Sequence, residues 1–286
     1  MATHPNKIKL GISTCPNDTF AFAALIERRV DWRGLDFEVW LGDIQELNYR
    51  LSRDELDVGK ASFHAALWLA EKYVVLRSGS AIGYGVGPLL LAAGSGLAPT
   101  PHAKDERLLA LLPGPWTTAH LLYQMFYPKS TRIEHVVFSE IMPRLVKGVA
   151  DFGVCIHEGR FTYQQHGLTL VEDLGDRWEL ESGLPLPLGG ILASTALTTD
   201  TRHRVNEVVA DSLHYAWDHP GDVLPLMRRH AQEFDDEVLM KHVELYVNER
   251  TLNIGAAGRQ ALDVLGMRAR ECGWLPERHC MLEVQD

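Results

Sequence analysis

Short apolar runs of strand character alternate along this chain with segments of helical periodicity, and that alternation most restricts the folds open to it. Lys7–Ile12 reads as a strand, Phe20–Glu27 as a helix and Leu35–Trp40 as a half-buried strand; Ile44–Leu51 follows as an amphipathic helix. Asp57–Lys60, Phe63–Glu71 and Tyr73–Arg77 repeat the strand, helix and strand pattern. The middle of the chain does the same, with strands at Arg107–Leu112, Ile133–Phe138, Phe152–Ile156 and Thr169–Asp173 around helices at Thr118–Phe126 and Ile141–Lys147. Such an order predicts an α/β architecture with parallel sheets.

The connections suggest two bodies rather than one. Pro88–Ala93 is a buried strand leading out of a first lobe, the Gly/Pro/Ser-rich Gly94–Lys104 marks the crossover, and Gly183–Gly190, with Pro185 and Pro187, carries the chain back. The expected division is a lobe of residues 1–90 and 190–286 and a second of 91–189, with a cleft between them. The last third is helical. Its stripes (Val205, Val208, Val209, Leu213, Ala216 and Trp217, then Leu239, His242, Val243, Tyr246 and Val247, then Leu262, Leu265 and Met267) read as core faces.

A formal charge of −10 argues against a nucleic-acid partner, which requires a basic face. The cysteines at 15, 155, 272 and 280 show no C-x-x-C spacing, so neither a zinc site nor a thioredoxin-like pair is expected. Cys272 and Cys280 are close enough in sequence for a bridge in an oxidising compartment, though nothing requires one. With no apolar run long enough to span a bilayer and no signal-peptide pattern at the start, the expectation is a cytoplasmic protein with reduced thiols and no membrane partner.

Four strand-to-helix junctions carry chemistry. In Asp151–Tyr163 a buried strand delivers His157, Glu158 and Arg160 to its carboxyl end, where ligands bind in open parallel sheets. His157 is of the type suited to proton transfer near neutrality, which makes it the candidate general base. Glu158 and Arg160 either orient the ring or the substrate, or form a solvated ion pair. Ser13–Phe20 packs five small polar residues into seven positions around Pro16, more than one helix cap needs, and the excess nominates Ser13, Asn17 and Asp18 as ligand contacts. Cys15, before Pro16 and with no paired base in view, reads as a packed thiol. In Gly59–His64, Lys60 is placed to neutralise an anion and Ser62 to cap the next helix. Pro113–His120 sets Thr117 and Thr118 at a helix start after a rigid turn, a natural carboxylate or phosphate site.

Several chemistries are missing. Gly83–Gly87 lacks the spacing of a dinucleotide fingerprint, and no P-loop, G-x-S-x-G elbow or H-E-x-x-H occurs. His157 and His166 are too isolated to predict a metal. The expectation is a reaction run by side chains alone, with no cofactor and no metal.

At these same places the sequence resembles the 1,4-dihydroxy-6-naphthoate synthase family of the futalosine route to menaquinone. The resemblance rests on Cys-Pro-Asn-Asp-Thr-Phe at 15–20, Pro-Gly-x-x-Thr-Thr-Ala at 113–119 and Ile-His-Glu-x-Arg-Phe-Thr-Tyr at 156–163. Gly-Val-Gly-Pro-Leu at 85–89, Gly-Leu-Pro-Leu-Pro-Leu-Gly at 183–189 and Tyr-Val-Asn at 246–248 extend it over nearly the whole chain. It implies a two-lobed type II periplasmic-binding-protein-like fold with a central cleft. It also implies a lyase that takes cyclic dehypoxanthine futalosine to 1,4-dihydroxy-6-naphthoate and a small sugar-derived fragment. Carried over by position, His157 is the proton acceptor, and Lys60, Ala61, Ser62, Thr117 and Thr118 line the site of a small-molecule carboxylate substrate. Two other readings share the fold: a non-catalytic receptor for a small carboxylate, and the related chorismate dehydratase.

Overall fold

The computed structural model describes residues 7–94, 101, 105–157, 159–231, 235–276 and 280–285. Most of the Gly94–Lys104 connection, and Glu158, lie outside the described residues. The chain opens with β1 (Lys7–Ser13), α1 (Pro16–Ile26), β2 (Asp36–Gly42), α2 (Ile44–Ser52), β3 (Val58–Ser62), α3 (Phe63–Leu69), β4 (Tyr73–Val75) and β5 (Ala81–Gly83). It continues through β6 (Leu89–Ala93), β7 (Leu109–Leu112), α4 (Thr118–Phe126), β8 (Arg132–His135), α5 (Phe138–Val146), β9 (Phe152–Cys155), the single turn α6 (Gly159–Thr162), β10 (Leu168–Asp173) and α7 (Leu174–Ser182). It closes with β11 (Leu186–Ser194) and the helices α8 (Thr199–Asp218), α9 (Pro220–His230), α10 (Asp236–Tyr246), α11 (Glu249–Leu252) and α12 (Gly255–Glu271).

The strands form two sheets. One has the order β2-β1-β3-β11-β4, with β5 also paired to β11; the other runs β10-β6-β9-β7-β8. The passage between sheets therefore falls between β5 and β6, ahead of Gly94–Lys104, and Leu89 and Leu90 pair in the second sheet. Neither sheet is purely parallel. β1 is parallel to β2 and β3, but β11 runs antiparallel to β3, β4 and β5, because it brings the chain back from the opposite direction. β11 lies where the sequence reads as a plain connection. Its Pro187 sits at a register shift against β5, where a proline's missing N–H is tolerated inside a sheet.

Local chemistry explains the helix starts that matter for the cleft. Cys15 is extended and Pro16 opens α1, a position where the absent N–H costs nothing. Asp43 and Thr117 cap α2 and α4 through side-chain oxygens. α1 is buried from Pro16 through Leu25, which suits its place against the sheet with α8 and α9 over it. The stripe Val205, Val208, Val209, Leu213 and Ala216 on α8 joins Phe20, Phe22 and Leu25 in the same core, whereas Trp217 is partly exposed.

Candidate active site

The carboxyl ends of β1, β3, β7 and β9 border one cleft, lined by residues of all four junctions. Ser13, Asn17, Asp18, Lys60, Ser62, Thr117, Thr118 and His157 all reach it, and Ile44, Val86, Pro88, Ile156 and Leu188 supply apolar wall. A mostly apolar cleft with a few convergent polar groups is the usual form of a small-molecule site.

His157 follows β9 directly and adopts φ of +57°, a left-handed turn that histidine tolerates better than bulkier residues. This turn aims the ring into the cleft and sends the chain on into α6. Phe138 packs edge-on against the ring at 4.8 Å, and Nε2 lies 3.4 Å from the Cys15 sulfur. Burial, reinforced by the positive charge of Lys60, lowers its pKa from 6.5 to about 4. The imidazole is thus a neutral free base at pH 7.

Lys60 and Asp18 form an ion pair at 2.7 Å, with side chains only 5% and 4% exposed. Lys60 also donates to the Gly79 carbonyl at 3.0 Å. Asp18 accepts from the Asn17 amide at 2.9 Å, and the Asn17 oxygen faces His242 Nε2 at 3.1 Å. Ser13 Oγ accepts from the Cys15 amide, tying the end of β1 to the start of α1.

Thr117 and Thr118 line the cleft, but their hydroxyl protons are directed into the protein. Thr117 donates to Gly114 O at 2.8 Å and accepts from His120 N; Thr118 donates to Leu188 O at 2.7 Å and accepts from His64 N. A hydroxyl has one proton to give. What the α4 start offers an anion is therefore the first-turn amides at Thr118 and Ala119, which have no carbonyl partner one turn back. Thr117→Val, which removes the cap, is expected to destabilise the protein by about 0.5–2 kcal/mol. An unchanged denaturant midpoint would contradict that role. Behind this turn His64 reaches the Thr117 carbonyl at 3.3 Å and stacks on His120, which contacts His135 at 3.0 Å. Burial takes His64 to about 4 and His120 to about 3, so these rings act as neutral packing under the turn that starts α4.

Three expectations need correction. Ala61 is fully buried and belongs to the core, because strand alternation points Lys60 and Ser62 to the cleft and Ala61 away from it. Arg160 does not line the cleft. Past the left-handed turn at His157 it swings back, bonding Gly87 O at 2.7 Å and Asp173 at 2.7 Å, and so fastens the inter-sheet passage to the start of α7. Ser62 stands at the N-cap of α3 without capping it; Asn48 engages its hydroxyl at 3.2 Å instead.

Apart from the apolar wall and glycine, the cleft residues outside those nominated from sequence are Cys15, whose sulfur meets the His157 ring, and His242 and Tyr246 from α10. The available signal was a histidine and a tyrosine inside an otherwise aliphatic stripe. Cys272 and Cys280 are unbridged and exposed. Among the described residues no cluster of three or more His, Cys, Asp or Glu is arranged to hold a metal, and no helix is long and apolar enough to cross a membrane.

Two mixed sheets flanked by helices, with a cleft lined by residues that follow strands of both, define a periplasmic-binding-protein-like fold. The aliphatic sulphonate binding protein of Escherichia coli shares it, with a TM-score of 0.65 at 11% identity over 96% of this chain and 90% of that one. The chain belongs to the menaquinone biosynthesis family, whose model matches residues 8–271. It is 41% identical to a Thermus thermophilus protein named 1,4-dihydroxy-6-naphtoate synthase, over 93% of this chain and 95% of the relative. It is 36% identical to a Streptomyces coelicolor protein of the same name, over 94% and 95% respectively.

Proposed function

We propose that this protein is a carbon–carbon lyase that converts cyclic dehypoxanthine futalosine to 1,4-dihydroxy-6-naphthoate, acting in the cytoplasm on a small carboxylate substrate. The relatives' name supports the reaction, and the two-sheet cleft supports a pair of lobes closing on the ligand. The observation that carries the reading is a neutral, half-buried imidazole at His157 in the same cleft as the α4 amides. The substrate carboxylate sits at the α4 start, where amides and helix dipole favour an anion. His157 takes the proton of a substrate hydroxyl. The oxygen's electrons form a carbonyl as the adjacent carbon–carbon bond breaks, and the released pair enters the ring precursor. Proton return and aromatisation complete the product and make cleavage downhill.

A base near 4 is weak for work at neutral pH, and an anionic substrate raises it by favouring the charged ring. The acid limb of kcat/KM, which reports the free enzyme, is therefore expected near pH 4, and that of kcat at higher pH. Coincident limbs would remove the electrostatic coupling. To test the function itself, purified protein is offered cyclic dehypoxanthine futalosine and chorismate in parallel. Consumption of the first alone is expected. Consumption of chorismate would select the dehydratase reading, and binding without turnover the receptor reading.

A further inference from the structure

The proposed reaction leaves one cleft imidazole without a task. His242, on α10, is completely buried, with its ring stacked on His157 at 6.0 Å and 24° and Tyr246 packed against it at 4.5 Å. Its tautomer follows from a chain of bonds that begins at the ion pair. Lys60 holds the Asp18 carboxylate, which only accepts, so the atom of Asn17 that meets Asp18 must be its NH2 group. The Asn17 oxygen therefore faces His242, and because that oxygen only accepts, His242 Nε2 carries the proton. A neutral imidazole protonated at Nε2 has a bare lone pair at Nδ1. Nδ1 is buried and has no hydrogen-bond partner among the described residues, which is uncommon for a buried polar atom.

We infer that His242 Nδ1 accepts a hydrogen bond from a hydroxyl of the bound substrate, making His242 a specificity-determining residue for the hydroxylated, sugar-derived part of that molecule. The inference rests on the lyase reading above. Only a donor satisfies this atom, so a carboxylate or carbonyl cannot occupy the position. The site then has two chemically distinct ends, with amides at α4 for the anion and the α10 imidazole for a hydroxyl. His157 lies beside the second. His242 exposes no surface to solvent, so the hydroxyl reaches it through the side-chain adjustments that commonly accompany binding. Burial and the neighbouring His157 hold its pKa well below the ordinary value, which keeps the lone pair available.

Two near-isosteric variants separate the ring's two nitrogens. His242→Gln sets an amide near the Nε2 position and keeps the Asn17 bond but loses the Nδ1 acceptor. His242→Asn sets an oxygen near Nδ1 and loses the Asn17 bond. With cyclic dehypoxanthine futalosine, kcat/KM is expected to fall roughly ten- to a hundredfold in H242Q, mostly through KM, and by less in H242N. Melting curves of both variants check that the fold is retained. Equal losses, or the reverse order, would show His242 to be packing only. A second readout needs no change at His242: in ¹⁵N spectra of the histidine-labelled H157N protein, the Nδ1 resonance should move on adding substrate, and an unmoved resonance overturns the inference. Wild type that leaves the substrate untouched overturns the lyase reading together with this inference; active wild type with an unimpaired H242Q overturns this inference alone.

Discussion

Replacing His157 by Asn is expected to lower kcat for cyclic dehypoxanthine futalosine by roughly 10²–10⁴-fold, the usual contribution of a positioned base. KM should stay within a few-fold. Asn is well suited to this position, since it tolerates the left-handed backbone at φ +57° and so keeps the β9–α6 turn intact. The amides proposed above to hold the carboxylate lie on α4, a different element, and the substitution leaves them in place. A variant within a few-fold of wild type would mean that the ring is structural. The Cys15 sulfur, 3.4 Å from Nε2, would then be the next group to test.

Replacing Lys60 by Met should be the most destabilising change in the cleft. It leaves the Asp18 carboxylate buried without its cation, and breaking such a pair from one side costs about 3–5 kcal/mol. The double variant K60M/D18N should recover much of that loss, because a neutral amide needs no counter-charge. Denaturant midpoints of the two variants decide the matter: a K60M loss below about 1 kcal/mol would place the pair in the weak, solvent-screened class. There is also a signature in catalysis. Lys60 helps depress the His157 pKa, so in K60M the acid limb of kcat/KM should move to higher pH.

Much of the site was legible because helix starts are encoded locally. The Pro-Gly-Pro turn and the Thr117 cap define α4 from Thr118, and the polar excess around Pro16 marks the start of α1. What escaped depends on long-range geometry. β11 carries Pro187, which reads as a loop until its pairing with β5 is known. An apolar face of α10 looks the same whether it meets a core or a cleft wall, so His242 and Tyr246 passed as core residues. Ala61 was carried over with Lys60 and Ser62 from the family resemblance, whereas a strand sends alternate side chains to opposite faces. The retreat of Arg160 follows from the backbone turn at His157, which no side-chain pattern announces.

The central claim is that this cleft breaks one carbon–carbon bond of its substrate. Its most direct test is to mix purified protein with cyclic dehypoxanthine futalosine and measure the naphthoate by its absorbance and the sugar-derived fragment by mass spectrometry. The account predicts both products, formed in equal amounts and in step with substrate loss. Substrate that remains intact, or is consumed without releasing the fragment, would contradict it.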